Sequence, residues 1–171
     1  MRKSELDTTT YDPYYRGYIQ TLKDVELIDA LKEEKETFLR FMKNVPIEKL
    51  SYAYAEGKWT VAEVLMHIID AERVFQYRAL RFGRNDKTAL YGFEQDDFVP
   101  ESNANKRSRE SIVEEFNAVR DSTITLFKSF GTAQLKRIGT ASNTPMSVAA
   151  LGFVIGGHQK HHLNVLVERY F

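Results

Sequence analysis

Apolar positions recur at helical spacing through most of the chain. From about residue 24 to 44, Leu27, Ile28, Leu31, Phe38, Phe41 and Met42 make one stripe, with lysines and glutamates opposite. Asn44 and Pro46 close it. A second run, about 60–82, opens on Thr60-Val61-Ala62-Glu63, where Thr60 can cap the free amides and Glu63 completes a capping box. Gly83 stops it. A third, about 108–130, carries Ile112, Phe116, Val119, Ile124, Leu126, Phe127 and Phe130 and stops at Gly131. The fourth is expected from Thr144-Pro145, a cap followed by a first-turn proline, to about 170. Its first half, Val148 to Ile155, is apolar nearly all round and should be buried on most sides. Four long helices and no convincing strand predict an all-α fold, a four-helix bundle.

The connections constrain the topology. About 24 residues, 84–107, join the second and third helices, far more than antiparallel neighbours need. A loop of that length can return along a helix of roughly 35 Å, which makes the two helices parallel and the order up-down-down-up. The alternative is a wandering surface loop. Residues 1–23 read as an irregular arm whose Tyr11, Tyr14, Tyr15 and Tyr18 are too aromatic for a disordered tail. It should lie against the bundle or against a second subunit. No repeat or linker divides the chain, so one domain over 1–171 is expected.

Composition narrows the function. Lys plus Arg and Asp plus Glu both number 24, which gives no electrostatic bias towards nucleic acid or an anionic membrane. The absence of cysteine excludes a disulfide scaffold, a cysteine zinc site and a cysteine nucleophile in this chain. No apolar run approaches the roughly 18 residues of a membrane span. Met1-Arg2-Lys3-Ser4-Glu5 is not followed by an apolar signal segment, so a cytoplasmic protein is expected.

The histidines carry the candidate chemistry. Three of four fall in Gly157-His158-Gln159-Lys160-His161-His162, and the fourth, His67, sits mid-helix on the face of Val64, Ala71 and Val74. An inward imidazole needs a partner for its nitrogens. His158 and His162, at i and i+4, share one helix face, while His158 and His161, at i and i+3, are also geometrically possible. Either pair with His67 would make a three-nitrogen metal site with an open position. Gly156 and Gly157 cost about 1 kcal/mol each in a helix. Close packing or room beside an ion would explain them.

Several blocks resemble the DinB-like (DinB/YfiT) superfamily. They are Gly57-Lys58-Trp59-Thr60-Val61-Ala62-Glu63, His67 through Arg73, Tyr77 through Phe82, Phe93 through Phe98, and Gly157 through Leu166 closing on Glu168-Arg169-Tyr170. The similarity spans nearly the whole chain. It implies an up-down-down-up bundle, often a homodimer, holding a divalent nickel or zinc ion. The ligands it implies are His67, His158 and His162, leaving His161 as an extra histidine. It also implies a small-molecule substrate, and relatives that include bacillithiol- and mycothiol-dependent transferases.

Three functions then compete. An ion can deprotonate a small-molecule thiol for an S-transferase, the thiol coming from outside because the chain has none. It can instead activate water for a hydrolase, where Glu63 and Asp70, one turn either side of His67, are the local candidates for a base. Their ordinary roles are cap and surface hydrogen bonding. Or the ion is a structural pin in a non-enzymatic binding bundle. Arg78, on His67's face, could receive an anionic substrate group. Tyr91, Phe93 and Phe98, interleaved with Glu94, Asp96 and Asp97, form either a lid over the open position or a solvated acidic loop.

Overall fold

The computed structural model describes residues 1–171. In chain order it contains α1 (Arg16–Gln20), α2 (Leu27–Asn44), α3 (Val61–Gly83), α4 (Gln95–Glu101), α5 (Arg109–Lys128) and α6 (Thr132–Leu135). The strands β1 (Ile138–Ala141) and β2 (Thr144–Ser147) and the helix α7 (Val148–Tyr170) follow. The four long helices are α2, α3, α5 and α7.

Local chemistry sets their ends. Thr60 Oγ1 accepts from the Glu63 amide at 3.2 Å and Glu63 Oε2 from the Thr60 amide at 2.7 Å, so the expected capping box forms. Ser108 and Ser147 cap α5 and α7 by accepting from the Ser111 and Ala150 amides, without the reciprocal bond. Pro46 keeps Val45 out of the helical region, and α2 stops there.

Paired side chains give the directions. Leu31, Lys35 and Phe38 of α2 meet Arg120, Asp121 and Phe116 of α5, so these two run antiparallel. Arg73 and Gln76 of α3 meet Glu115 and Ser122 of α5, which is parallel. Tyr170 of α7 reaches the Trp59 carbonyl while His158 reaches His67, so α7 opposes α3. Glu34 and Phe41 of α2 meet Gln159 and Phe171, so α2 and α7 are parallel. The order is up-down-down-up, with α2 and α3 on opposite corners, each packed on both α5 and α7.

Two sequence expectations are corrected and a third is filled in. Thr144-Pro145 does not start the last helix. Ser142 and Asn143 both have positive φ (52° and 62°) and close a two-residue hairpin, pairing Ile138–Ala141 with Thr144–Ser147. Pro145 faces Thr140 at a non-hydrogen-bonded position, where its missing N–H costs nothing. The arm is not irregular throughout, because α1 lies within it and docks on α7. The crossover holds α4 and a single turn at Ala104–Lys106, and both pack on α3.

The apolar core falls into two clusters, one around Leu31, Phe82, Phe127 and Phe153, the other around Phe38, Leu65, Phe116 and Leu166. A polar layer lies between them. Arg120, fully buried, gives Nε and Nη2 to the two Glu72 oxygens at 2.8 Å each. It also reaches Gln159 Oε1 at 2.7 Å and the Leu31 carbonyl at 3.0 Å, so one guanidinium touches all three other long helices.

Replacing Arg120 by Met would strand the Glu72 carboxylate and is expected to cost about 3–5 kcal/mol. The pair Glu72→Met with Arg120→Met should recover most of that loss. Urea unfolding of both variants at pH 7 checks it, and additive losses would show that the two groups act independently.

Candidate metal centre

His67 lies on α3 and His158 and His162 lie one turn apart on antiparallel α7. Their Nε2 atoms converge. His67 Nε2 is 3.0 Å and His162 Nε2 3.1 Å from His158 Nε2, and ligand atoms of all three fall within 4.8 Å of one another. His161 stays outside, its ring set edge-on to Tyr18 with centroids 5.1 Å apart. The two pairs left open by helical spacing are thus separated: His158 with His162 faces His67, and His161 does not.

Burial controls the protonation of this cluster. His67 and His158 are 4% and 6% exposed. Desolvation pulls the His67 pKa down to about 4, with the Asp96 charge opposing it. Desolvation, reinforced by the neighbouring imidazoles, takes His162 to about 3 and His158 well below the ordinary value. All three rings are neutral at pH 7, with lone pairs available as ligands.

The residues fit a divalent ion. Imidazoles about 2.0–2.1 Å from a tetrahedral ion would set their nitrogens about 3.3 Å apart, a few tenths of an ångström beyond the two pairs that include His158, while the His67–His162 pair lies within 4.8 Å. One shared proton can satisfy a single pair of these nitrogens. A cation satisfies three.

A cavity of about 250 Å³ opens beside His67 and His158. Ala71, Phe75 and Arg78 continue its wall along α3, Phe93 through Asp96 close one side from the crossover, and Ser142 enters from the hairpin turn. Tyr14, Tyr15 and Tyr18 complete it from the arm. Trp59 stacks obliquely on His67 with centroids 5.0 Å apart. A Cβ on Gly157 would lie 2.2 Å from the Tyr18 carbonyl oxygen, so that glycine lets the arm's backbone sit on α7 beside His158. It makes room for the arm, not for a ligand.

The other site candidates separate clearly. Arg78 is in the cavity wall. Glu63 is spent on the cap and on Asn105, whose amide donates to Oε1 at 3.0 Å. Asp70 pairs with Arg73 at 3.6 Å and faces the α4 side beside Glu115 and Arg107. Neither carboxylate lines the cavity: at about 100° per residue Glu63 and Asp70 fall about 40° and 60° to one side of His67, whereas Ala71, Phe75 and Arg78, which line it, fall on the other side. Asp96 and Glu94 line it instead. The sequence signal for them was the acidic-aromatic crossover; the arm's tyrosines carried no signal that they belonged to the site.

Residues 30–166 match the family model of the DinB superfamily. A protein of Geobacillus thermodenitrificans (strain NG80-2), named as a candidate metal-dependent hydrolase, is 25% identical over 139 residues, 80% of this chain and 78% of that one. Among solved structures, YfiT from Bacillus subtilis superposes with a TM-score of 0.74 at 15% identity, covering 83% of this chain and 82% of its own. It is described as a candidate metal-dependent hydrolase with an unusual four-helix bundle topology. The DinB-like protein YjoA of Bacillus subtilis superposes at 0.59 and 14% identity, covering 84% and 89%. These likenesses show the four-helix bundle fold.

The lowered histidine pKa values give a signed pH dependence. Between the unfolded value near 6.5 and the folded value of about 4 for His67, the unfolded chain binds more protons. Stability of the chelated protein is therefore full above about pH 6.5 and falls as pH drops through that window. Urea midpoints measured across it should decline, and the decline should flatten in His67→Gln.

Proposed function

The chain belongs to the DinB superfamily, and on that premise we propose that it is a hydrolase of small molecules whose divalent ion is held by His67, His158 and His162. The observation that carries this reading is the convergence of three neutral imidazoles, two buried and one half-buried, with His67 and His158 on the wall of a cavity also lined by Glu94 and Asp96. The Geobacillus relative and YfiT, both described as candidate metal-dependent hydrolases, support it. An all-imidazole set suits nickel or zinc. When bound, such an ion supplies Lewis acidity, polarising a carbonyl and lowering the pKa of water.

The chain's own residues do the rest. Phe75 and Trp59 give the histidines apolar neighbours and keep the rings neutral. Asp96 is the general base: it takes a proton from water as the water oxygen bonds to the acyl carbon. It returns that proton to the departing nitrogen or oxygen as the old bond breaks. Burial raises the Tyr18 pKa, so its phenol keeps its proton and serves as a donor to substrate.

One observation favours a second reading. A chain without cysteine must take any thiol from outside, and an open cavity beside the triad admits one. In that reading a bacillithiol-like cosubstrate supplies the sulfur, which bonds to an electrophilic carbon as that carbon's leaving group departs.

Protein purified without a histidine tag should carry about one divalent ion per chain. His162→Ala should lose it and His161→Ala keep it; the opposite result overturns the ligand set. Asp96→Asn should keep the ion and lower kcat roughly 10²–10⁴-fold. Ester or amide cleavage without added thiol supports the hydrolase, whereas turnover of an electrophile only with added thiol supports the transferase.

A further inference from the structure

Arg78 lies eleven residues beyond His67 on α3, three turns along and within about 20° of the same face. Both line one cavity. Arg78 is 3% exposed, yet no carboxylate pairs with it. Its Nη2 donates to the Tyr91 carbonyl at 3.1 Å and to Ser142 Oγ at 3.0 Å, both neutral acceptors. The ionisable group beside it is the Tyr15 phenol. That phenol is a hydrogen-bond partner on this side, no further acceptor of the chain meets Nε or Nη1, and neither is sealed from solvent, so they face the cavity.

The bundle's other deeply buried arginine shows what such a group requires. Arg120 is matched by the Glu72 carboxylate and two further oxygens. Propping a loop carbonyl and a serine needs no charge, whereas keeping a desolvated guanidinium without a counter-ion is costly. Arg78 lacks its anion.

We propose that Arg78 receives the carboxylate of the substrate, so that the site takes small monoanionic compounds with an apolar segment between that carboxylate and the group processed at the histidines. This rests on the reading of the triad as a reaction centre. The apolar segment follows from Ala71, Phe75 and Tyr15, which lie on the cavity wall with the two polar ends. A carboxylate is favoured over a phosphate because the wall offers one guanidinium and no lysine, while Glu94 and Asp96 line the same space. A dianion would meet their repulsion with one cation to offset it. The planar, two-toothed match of guanidinium to carboxylate also suits a fork that meets only neutral acceptors.

The test is calorimetric titration of the full chain, as purified and after chelation, with 3-phenylpropionate, its neutral amide and phenyl phosphate. Chelation removes the ion as a competing anion receptor. The carboxylate is expected to bind roughly tenfold or more tightly than either analogue with the ion removed. Arg78→Met should abolish that preference, and Arg78→Lys, a charge without the fork, should keep part of it. Equal binding of the amide, preference for the phosphate, no carboxylate binding at millimolar concentration, or a preference that survives in Arg78→Met overturns the proposal. Should Arg78→Met fail to fold by circular dichroism, the wild-type comparison and Arg78→Lys decide. A carboxylate preference in a protein that hydrolyses nothing sinks the reaction reading alone, and hydrolysis with no carboxylate preference sinks this inference alone.

Discussion

The buried guanidinium of Arg120 is the constraint around which the bundle is arranged. A charge that deep is tolerated only when its hydrogen bonds are met, and here the acceptors come from α2, α3 and α7. Apolar packing alone permits helices to slide by a turn and rotate with little penalty. A fully buried charge with acceptors on three helices does not, because a shift of one element strands a polar group. Gln159 is one of those acceptors and precedes Lys160 and His161 on α7, while His158 is its immediate neighbour. Pointing Gln159 at Arg120 therefore turns His158, one residue earlier, towards α3. Glu72 does the same for α3, five residues after His67. The register that brings three imidazoles together is set by an ion pair that touches none of them.

The site divides its work between two kinds of element. The long helices α3 and α7 hold the imidazoles and Arg78, groups whose separation must stay fixed. The arm, the crossover and the hairpin turn supply the tyrosines, the acidic side chains and Ser142 that shape the cavity. Their attachment is specific. Tyr18 lies on α7 because Gly157 has no side chain there, and the crossover is tied to the hairpin by the Leu90 amide to the Thr140 carbonyl at 2.9 Å and the Ser142 amide back to Leu90 at 3.0 Å. Arg78 joins both connections from beneath. A reaction centre on helices with a substrate wall on connections lets one bundle serve different substrates by changing the connections.

The legibility of each part follows from the range of the physics behind it. The α3 start was readable because a capping box is complete within four residues, Thr60 to Glu63. The inward face of His67 was readable from Val64, Ala71 and Val74, since a helix repeats every 3.6 residues. The start of α7 was misplaced because Thr144-Pro145 satisfies a helix-start pattern as well as a hairpin strand, and Ser142-Asn143 taking positive φ is decided by pairing across the turn. Glu63 and Asp70 were reasonable as bases by distance along the chain, but both lie on the flank of α3 opposite to Ala71 and Phe75, which line the cavity.

Spacing and periodicity, which act over a turn or two, were enough to determine four amphipathic helices, an inward histidine on the second and a pair on the last, and the lack of any thiol of the chain's own. Which of His161 and His162 joins His67, which carboxylates face the cavity, and that Tyr14, Tyr15 and Tyr18 line it were decided by tertiary packing. Each depends on the rotation of one helix against another or on a connection folding back over the bundle. Those rotations are set by contacts such as Arg120 with Glu72 and Gln159, whose partners lie 48 and 39 residues apart in the chain, a separation across which local periodicity carries no information.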